Sequence, residues 1–356
     1  LGGDKPTGVE EYTRRLIAHL SMLPKSPEHR FRLYVDNAEL ARKTLAREGA
    51  NFERIELCQL RSPILWSQLR LALELFQRPP DIFFSPAHVL PRLAPTATAV
   101  TIHGLEFERY PKFYPSWHAA YLRAVTRDAT KRARCIIAVS RATKEDLIEL
   151  YKIPQEKIVV IHHGIDRPEQ TVIPKKEGGV PYFLYLGRIE KKKNVDGIIR
   201  AFARAKERYS LSHRLILAGG DGHQGRSVRE EARMSPFRDA IEFQGYVPAD
   251  KKLELLGSAT ALLFPSWYEG FGLPILEAQT AGVPVITANV SAMPEVAGSG
   301  ALFVSPGDTE ELALALRSLA FDEKLRTRLG ARGRENVKRF SWEECAEKTL
   351  QTLLAA

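Results

Sequence analysis

Glu269 and Glu277, with seven residues between them, bracket the turn Gly270-Phe271-Gly272-Leu273-Pro274. A carboxylate accepts hydrogen bonds from two neighbouring hydroxyls, so each acid can read a diol. The glycines keep side chains off the turn and let a ligand reach the main chain. Pro274 suits a first helical turn, where its missing N–H is no loss. The amides of such a turn have no partner within the helix and favour a phosphate. Upstream, Arg188 and Lys193 are five apart. One can grip oxygens in bidentate fashion and the other acts as a point charge, a pair suited to a diphosphate. Lys191 and Lys192 read as solvated neighbours. Hydroxyls on carboxylates and diphosphate on amides and cations together describe a nucleotide-sugar. A lone glycine turn is weak evidence; the paired acids and the second basic motif strengthen it.

These residues need strands behind them. Ala261–Phe264 reads as a strand before the Glu269 turn, and a helix follows. Tyr182–Leu186 reads as a strand before Gly187-Arg188, with a helix over 195–208. Arg214–Ala218 leads to Gly219-Gly220-Asp221-Gly222. A strand over 240–243 leads to Gly245, Tyr246 and Val247. Strands over 283–287 and Ala301–Val304 follow, then helices from about 308 and 323, and Ser341 caps a last helix. In the first half, Thr7-Gly8 leads into a helix over 8–23, where Gly8 is a second point of close approach. No strand precedes it, so a first strand is expected to be missing from the numbering. Strands Phe31–Val35, 54–57, 81–84 and Ala97–Ile102 follow. His103 stands just past the last of these, where parallel sheets bind ligands. Ser140 reads as the N-cap of a helix over 141–150, after a strand over 135–139. His162 and His163 follow a strand over 157–161, and adjacent strand residues face opposite sides, so they cannot share a metal.

The alternation of strand and helix predicts an α/β protein with two doubly wound sheets facing one cleft, and 356 residues suit two domains. The expected boundaries are 1–168, 169–340 and a terminal helix over 341–356, with a linker within 164–179. A helix over 64–76 carries Leu65, Trp66, Leu69, Ala72, Leu73 and Phe76 at helical spacing. It reads as core, with a membrane-facing role as the alternative. Tyr110, Phe113, Tyr114, Trp117 and Tyr121 gather with Arg109, Lys112 and Arg123. That cluster could stack an acceptor sugar, meet lipid headgroups or simply pack.

The net charge is +9, weighted toward residues 1–171. A phosphorylated substrate or an anionic membrane surface fits this excess; no nucleic-acid module accompanies it, so a nucleic-acid partner is not expected. No apolar run reaches bilayer-spanning length and no signal peptide opens the chain. Cys58, Cys135 and Cys345 lack metal spacing, which suggests reduced thiols in the cytoplasm.

Thr7-Gly8-Val9…Tyr12, Thr101-Ile102-His103, Ala138-Val139-Ser140, Gly187-Arg188…Lys193, Gly245-Tyr246-Val247 and above all Glu269…Glu277 resemble the retaining GT-B glycosyltransferases of family four, the group 1 enzymes. Nearly the whole chain fits. The resemblance implies that Arg188 and Lys193 bind the diphosphate and Glu277 the ribose. Glu269 and the amides of Phe271, Gly272 and Leu273 would hold the hexose and a phosphate. The loop Gly245, Tyr246, Val247 would meet the base. His103 and Gly8 would lie on the acceptor side, and the last helix would return to the N-terminal, acceptor domain. The family often has Asp where Gly104 stands, Asn before Gly where His163 stands, and Gly where Asn194 stands.

The implied reaction retains anomeric configuration. No Asp-x-Asp motif occurs, so the cations and the helix N-terminus would replace a metal, and no cofactor is expected. The wording of the first half is most similar to mannosyltransferases of polysaccharide biosynthesis, which suggests GDP-mannose, with a UDP-hexose as runner-up. The expected acceptor is a glycan or lipid-linked sugar, met in the cytoplasm or by peripheral contact at the inner membrane face. The rivals are a nucleotide-sugar 2-epimerase of the same architecture and a non-catalytic binder.

Overall fold

The computed structural model describes residues 7–23, 29–35, 52–56, 66–94, 97–166 and 179–356. The chain divides into two compact units. The first comprises Leu1–Glu108, Ser116–Asp166 and Phe340–Ala356; the second comprises Arg109–Pro115 and Arg167–Arg339. Most of the expected linker, 167–178, lies outside the described residues.

In the first unit, the helix Gly8–Leu20 opens on a capping box. The Thr7 amide donates to Glu10 Oε2 at 2.6 Å and the Glu10 amide to Thr7 Oγ1 at 3.4 Å. Strands β1 (Phe31–Val35) and β2 (Phe52–Glu56) form a parallel pair. Strands β3 (Ile82–Ser85), β4 (Ala97–Ile102), β5 (Cys135–Ala138) and β6 (Ile158–Val160) form a four-stranded parallel sheet in that order. All four residues of β5 are buried, as expected for a strand covered on both faces. Ser140 accepts the Thr143 amide at 3.1 Å and caps the helix Arg141–Tyr151, a contact typically worth about 1 kcal/mol.

The helix Trp342–Leu354 belongs to this unit. Its Trp342, Cys345, Ala346 and Leu350 pack with Tyr12, Leu16 and Leu20 of the first helix. Gly164 allows the close passage: a Cβ there would lie 2.1 Å from the Trp342 nitrogen. Burial pushes the Cys345 thiol up to about 12, so it is an apolar filler and not a nucleophile.

The expected core stripe over 64–76 is partly overturned. Leu69, Leu73 and Phe76 are all more than half exposed, whereas Leu71, Ala72, Glu74 and Leu75 are buried. The segment begins as a π-helical turn, Trp66–Arg70, before the α-helix Leu71–Gln77. Leu69, Leu73 and Phe76 keep the spacing of one helical face, and that face is exposed while Leu71, Ala72 and Leu75 turn inward; Leu65 lies outside the described residues. Buried Glu74 is held by Arg70 at 3.4 Å and Arg78 at 3.9 Å.

The second unit is a six-stranded parallel sheet with the order β12-β11-β10-β7-β8-β9. The strands are β7 (Tyr182–Leu186), β8 (Arg214–Ala218), β9 (Ile241–Gly245), β10 (Ala261–Phe264), β11 (Val285–Ala288) and β12 (Ala301–Val304). Chain order runs outward from β7 on one side and from β10 on the other. The strand order therefore reverses between β7 and β10, which pair directly through Leu184 and Leu262. Ligands of open α/β sheets bind beyond the carboxyl ends at this switch point.

Candidate active site

The two strands at the switch point carry the two strongest sequence motifs. Beyond β7, Gly187 has φ +148° and its amide donates to the Ala218 carbonyl at 3.0 Å. Across from it, Gly219 passes so close that a Cβ would lie 1.8 Å from the Gly187 oxygen. The buried Tyr185 hydroxyl donates to the Arg188 carbonyl at 2.7 Å and pins the loop from below. Burial, and then the charges of Glu269 and Glu190, drive that phenol far above its usual range. The Arg188 backbone is thus fixed while its side chain is exposed, with no ion pair among the described residues.

Lys193 ends a 3-10 turn, Lys191–Lys193, and Asn194 follows in the left-handed region at φ 58°. Asparagine tolerates that region better than most residues, which accounts for its standing where the family usually has glycine. Its buried amide also donates to the Pro265 carbonyl at 3.1 Å and the Pro306 carbonyl at 2.6 Å, tying three loops together. Gly197 makes room for it, since a Cβ there would meet Asn194 Oδ1 at 2.1 Å.

Beyond β10, the turn predicted from sequence precedes the helix Leu273–Thr280, with Gly272 at φ 112° as its cap and Pro274 in its first turn. Gly270, Phe271 and Gly272 are buried and Leu273 is half-buried. The Glu269 amide donates to Ser291 Oγ at 3.0 Å. Lys193 Nζ donates to both Glu269 oxygens, at 2.6 and 2.7 Å, with both side chains largely buried. The structure thus brings together two candidates from opposite sides of the switch point, 76 residues apart in sequence.

Glu277, on the helix, pairs with Lys252 at 2.5 Å. Sequence reading missed Lys252, as it missed Ser291. Gly245 has φ 69° beside a register shift in the β8–β9 pairing; Tyr246 is exposed and Val247 half-buried. Arg109–Pro115 packs on the same strand-end loops. Tyr110 and Phe113 lie 6.0 and 6.3 Å from the Trp267 ring, and Lys192 Nζ donates to Tyr114 Oη at 3.0 Å. The aromatic cluster read from the sequence is therefore split: Tyr110, Phe113 and Tyr114 pack here, while Trp117 is exposed on the helix Ser116–Arg132 of the first unit.

Gly8 and His103 belong to the first unit. Gly8 is exposed, with open space where a Cβ would be. His103 is clamped: Tyr12 meets it edge-on at 4.9 Å, and His163 lies 5.5 Å away. Tyr12 is itself held by a 3.2 Å hydrogen bond between its hydroxyl and Thr101 Oγ1. Desolvation, and then the neighbouring His88, lower the His103 pKa to about 3, so the ring is neutral. Gly104 has φ 138°, a conformation that resists the Asp frequent in the family. His162 and His163 diverge as expected, the first toward Phe340 and the second stacked on Tyr12. Among the described residues no three His, Cys, Asp or Glu gather as a metal site.

Two Rossmann-like parallel sheets, one with cations and acids at its switch point, define the GT-B class of glycosyltransferase. The family description "Glycosyltransferase Family 4" matches residues 6–168, and "Glycosyl transferases group 1" matches residues 166–336. The chain belongs to these group 1 glycosyltransferases of family four. It is 27% identical to an O-antigen chain mannosyltransferase B of Escherichia coli, over 97% of this chain and 95% of that one. It is also 27% identical to the O-antigen chain mannosyltransferase RfbU of Salmonella typhimurium, over 71% and 68%. The Anabaena protein HepE, crystallised with UDP-glucose, has the same fold, with a TM-score of 0.76 at 17% identity over 100% of this chain and 98% of that one.

Proposed function

We propose that the protein is a retaining, metal-independent mannosyltransferase that uses GDP-mannose and extends a glycan or lipid-linked acceptor. The observation that carries the nucleotide-sugar reading is the Lys193–Glu269 pair at the β7/β10 switch point, beside the exposed Arg188. As the glycosidic bond breaks, negative charge grows on the departing diphosphate. Arg188, Lys193 and the first amides of the helix Leu273–Thr280 are pre-placed cations and dipoles that stabilise it. Glu269 keeps the Lys193 ammonium in position and reads hexose hydroxyls. Glu277 reads the ribose diol, with Lys252 fixing its carboxylate. Gly245, Tyr246 and Val247 border the base. His103, neutral, and Gly8 serve the acceptor side.

Mannose as the sugar rests on the two O-antigen mannosyltransferases, both distant in sequence. The second reading, a UDP-hexose donor, is favoured by the UDP-glucose in the structural neighbour. Peripheral contact with an anionic membrane, and with it a place at the cytoplasmic membrane face, is supported by the exposed Leu69, Leu73, Phe76 and Leu93. Arg92 is exposed beside them, its amide held by Gln68 at 2.8 Å. No described helix is long and apolar enough to cross a membrane.

The test is a panel of GDP- and UDP-sugars with chelator present, read by melting temperature, nucleotide release and the anomeric configuration of the product. The proposal expects stabilisation by GDP-mannose, lost in Glu277→Ala, and an α-linked product. Stabilisation by a UDP-hexose alone selects the second reading. A sugar interconverted without acceptor makes the protein an epimerase, and binding without turnover makes it a non-catalytic binder. An absolute requirement for a divalent ion overturns metal independence.

A further inference from the structure

The turn after β3 and the end of β4 are neighbours, because the two strands pair in parallel with Ser85 opposite Val100. Two atoms of that turn meet His103. The His103 amide donates to His88 Nε2 at 3.0 Å, and His103 Nε2 lies 2.8 Å from the Pro86 carbonyl oxygen. A carbonyl only accepts, so His103 carries its proton on Nε2. The ring is neutral, which leaves Nδ1 as a lone pair, with no hydrogen bond to any described residue. The same logic fixes the partner. His88 Nε2 accepts, so its proton sits on Nδ1, 3.5 Å from Thr126 Oγ1. The two rings stack at 5.8 Å and 24°. Ser85 Oγ donates to the Ala87 carbonyl at 3.2 Å and braces the turn that holds both contacts.

We propose that His88 is a positioning residue: with the Pro86 carbonyl it holds His103 as the Nε2–H tautomer, so that the imidazole offers the substrate only an acceptor, Nδ1. Such a ring accepts a hydrogen bond from a sugar hydroxyl and turns away a group that can only accept. This rests on the reading of His103 as a substrate-facing residue. Orientation matters in proportion to the chemistry it serves, and loosening the ring is expected to cost about ten- to a hundredfold in kcat.

The first readout needs no variant. The full chain, ¹⁵N-labelled and unliganded, is examined by long-range ¹H–¹⁵N correlation, with His103 assigned by difference from His103→Gln. The expected pattern is Nε2–H and unprotonated Nδ1, unchanged from pH 5.5 to 8. An Nδ1–H or protonated ring overturns the proposal. The second readout is His88→Leu, which removes the acceptor, beside His88→Gln, whose amide oxygen can replace Nε2. A mixed His103 tautomer and reduced kcat in His88→Leu, restored at least in part by His88→Gln, support the role. Wild-type kcat and tautomer in a folded His88→Leu protein overturn it. If His88→Leu does not fold, the wild-type spectrum and His88→Gln decide. Failure of the underlying nucleotide-sugar reading looks different: no donor shifts the wild-type melting temperature, while the His103 tautomer remains readable.

Discussion

The two units meet their candidate ligands with different physics. At the β7/β10 switch point the candidates are charged and paired across loops, Lys193 with Glu269 and Lys252 with Glu277. Around the end of β4 they are neutral rings, His103 against His88, Tyr12 and His163, with imidazole pKa values lowered by burial. One region suits a phosphorylated ligand whose charge changes during reaction. The other suits hydroxyls, where direction counts more than charge. On the proposed function, one fold used twice in a chain divides the work of charge stabilisation and hydroxyl recognition.

The strongest test of that division is Lys193→Ala. It removes the proposed leaving-group cation and strands Glu269, so kcat/KM should fall ~100- to 1,000-fold, or ~2.7–4 kcal/mol. The melting temperature should fall too. Arg188→Ala should cost a similar factor in rate while leaving stability within about 0.5 kcal/mol, because that side chain is exposed and unpaired among the described residues. Rates from nucleotide release and melting curves separate the two; equal stability losses would break the contrast.

Asn194→Ala is expected to destabilise the second unit by roughly 2–4 kcal/mol, since a buried and a part-buried carbonyl lose their donor and alanine must adopt φ near 58°. Chemical denaturation measures this loss.

A smaller effect comes from pH. The folded His103 pKa is about 3 against an ordinary 6.5. Between those values the unfolded chain binds a proton that the folded chain does not, so stability is lost as pH falls from 6.5 toward 3. His88 and His163 act in the same direction in the first unit, and His213, lowered to about 4, does so in the second. Hydrogen exchange from pH 7 to 5 should show the neighbours of His103 losing protection ahead of the β7–β10 strands. The smallest effect belongs to Phe76→Ser, expected to change stability by at most about 0.5 kcal/mol, since the side chain is exposed. Sedimentation with anionic vesicles should nonetheless show weaker binding.

Much of this was legible in the sequence because it is local. Strands such as Tyr182–Leu186 and Ala301–Val304 are short apolar runs ended by turn residues, and Ser140 caps its helix through a contact three residues away. The Glu269 turn declared itself because glycine, proline and acid each have a steric or electronic reason to be there. What stayed hidden is what only tertiary structure creates. Lys252 reaches Glu277 from another helix, with no spacing to betray it. His88 meets His103 because β3 lies beside β4. Arg109–Pro115 reads as part of the first half and packs in the second unit. Leu69, Leu73 and Phe76 misled because spacing finds an apolar face and not the direction it points, and this face is exposed.

The packing of Trp342, Cys345 and Leu350 against Tyr12 and Leu16 has a consequence for biosynthesis. The first unit's core includes a helix that the ribosome delivers only after the whole of Arg167–Arg339. At ~5–20 residues per second, that delay is roughly ten to thirty-five seconds. During it, the nascent first unit exposes the apolar groove that Trp342 will fill. The second unit therefore has every residue it needs before the first unit can close, and the window for chaperone capture falls on the N-terminal part of the chain.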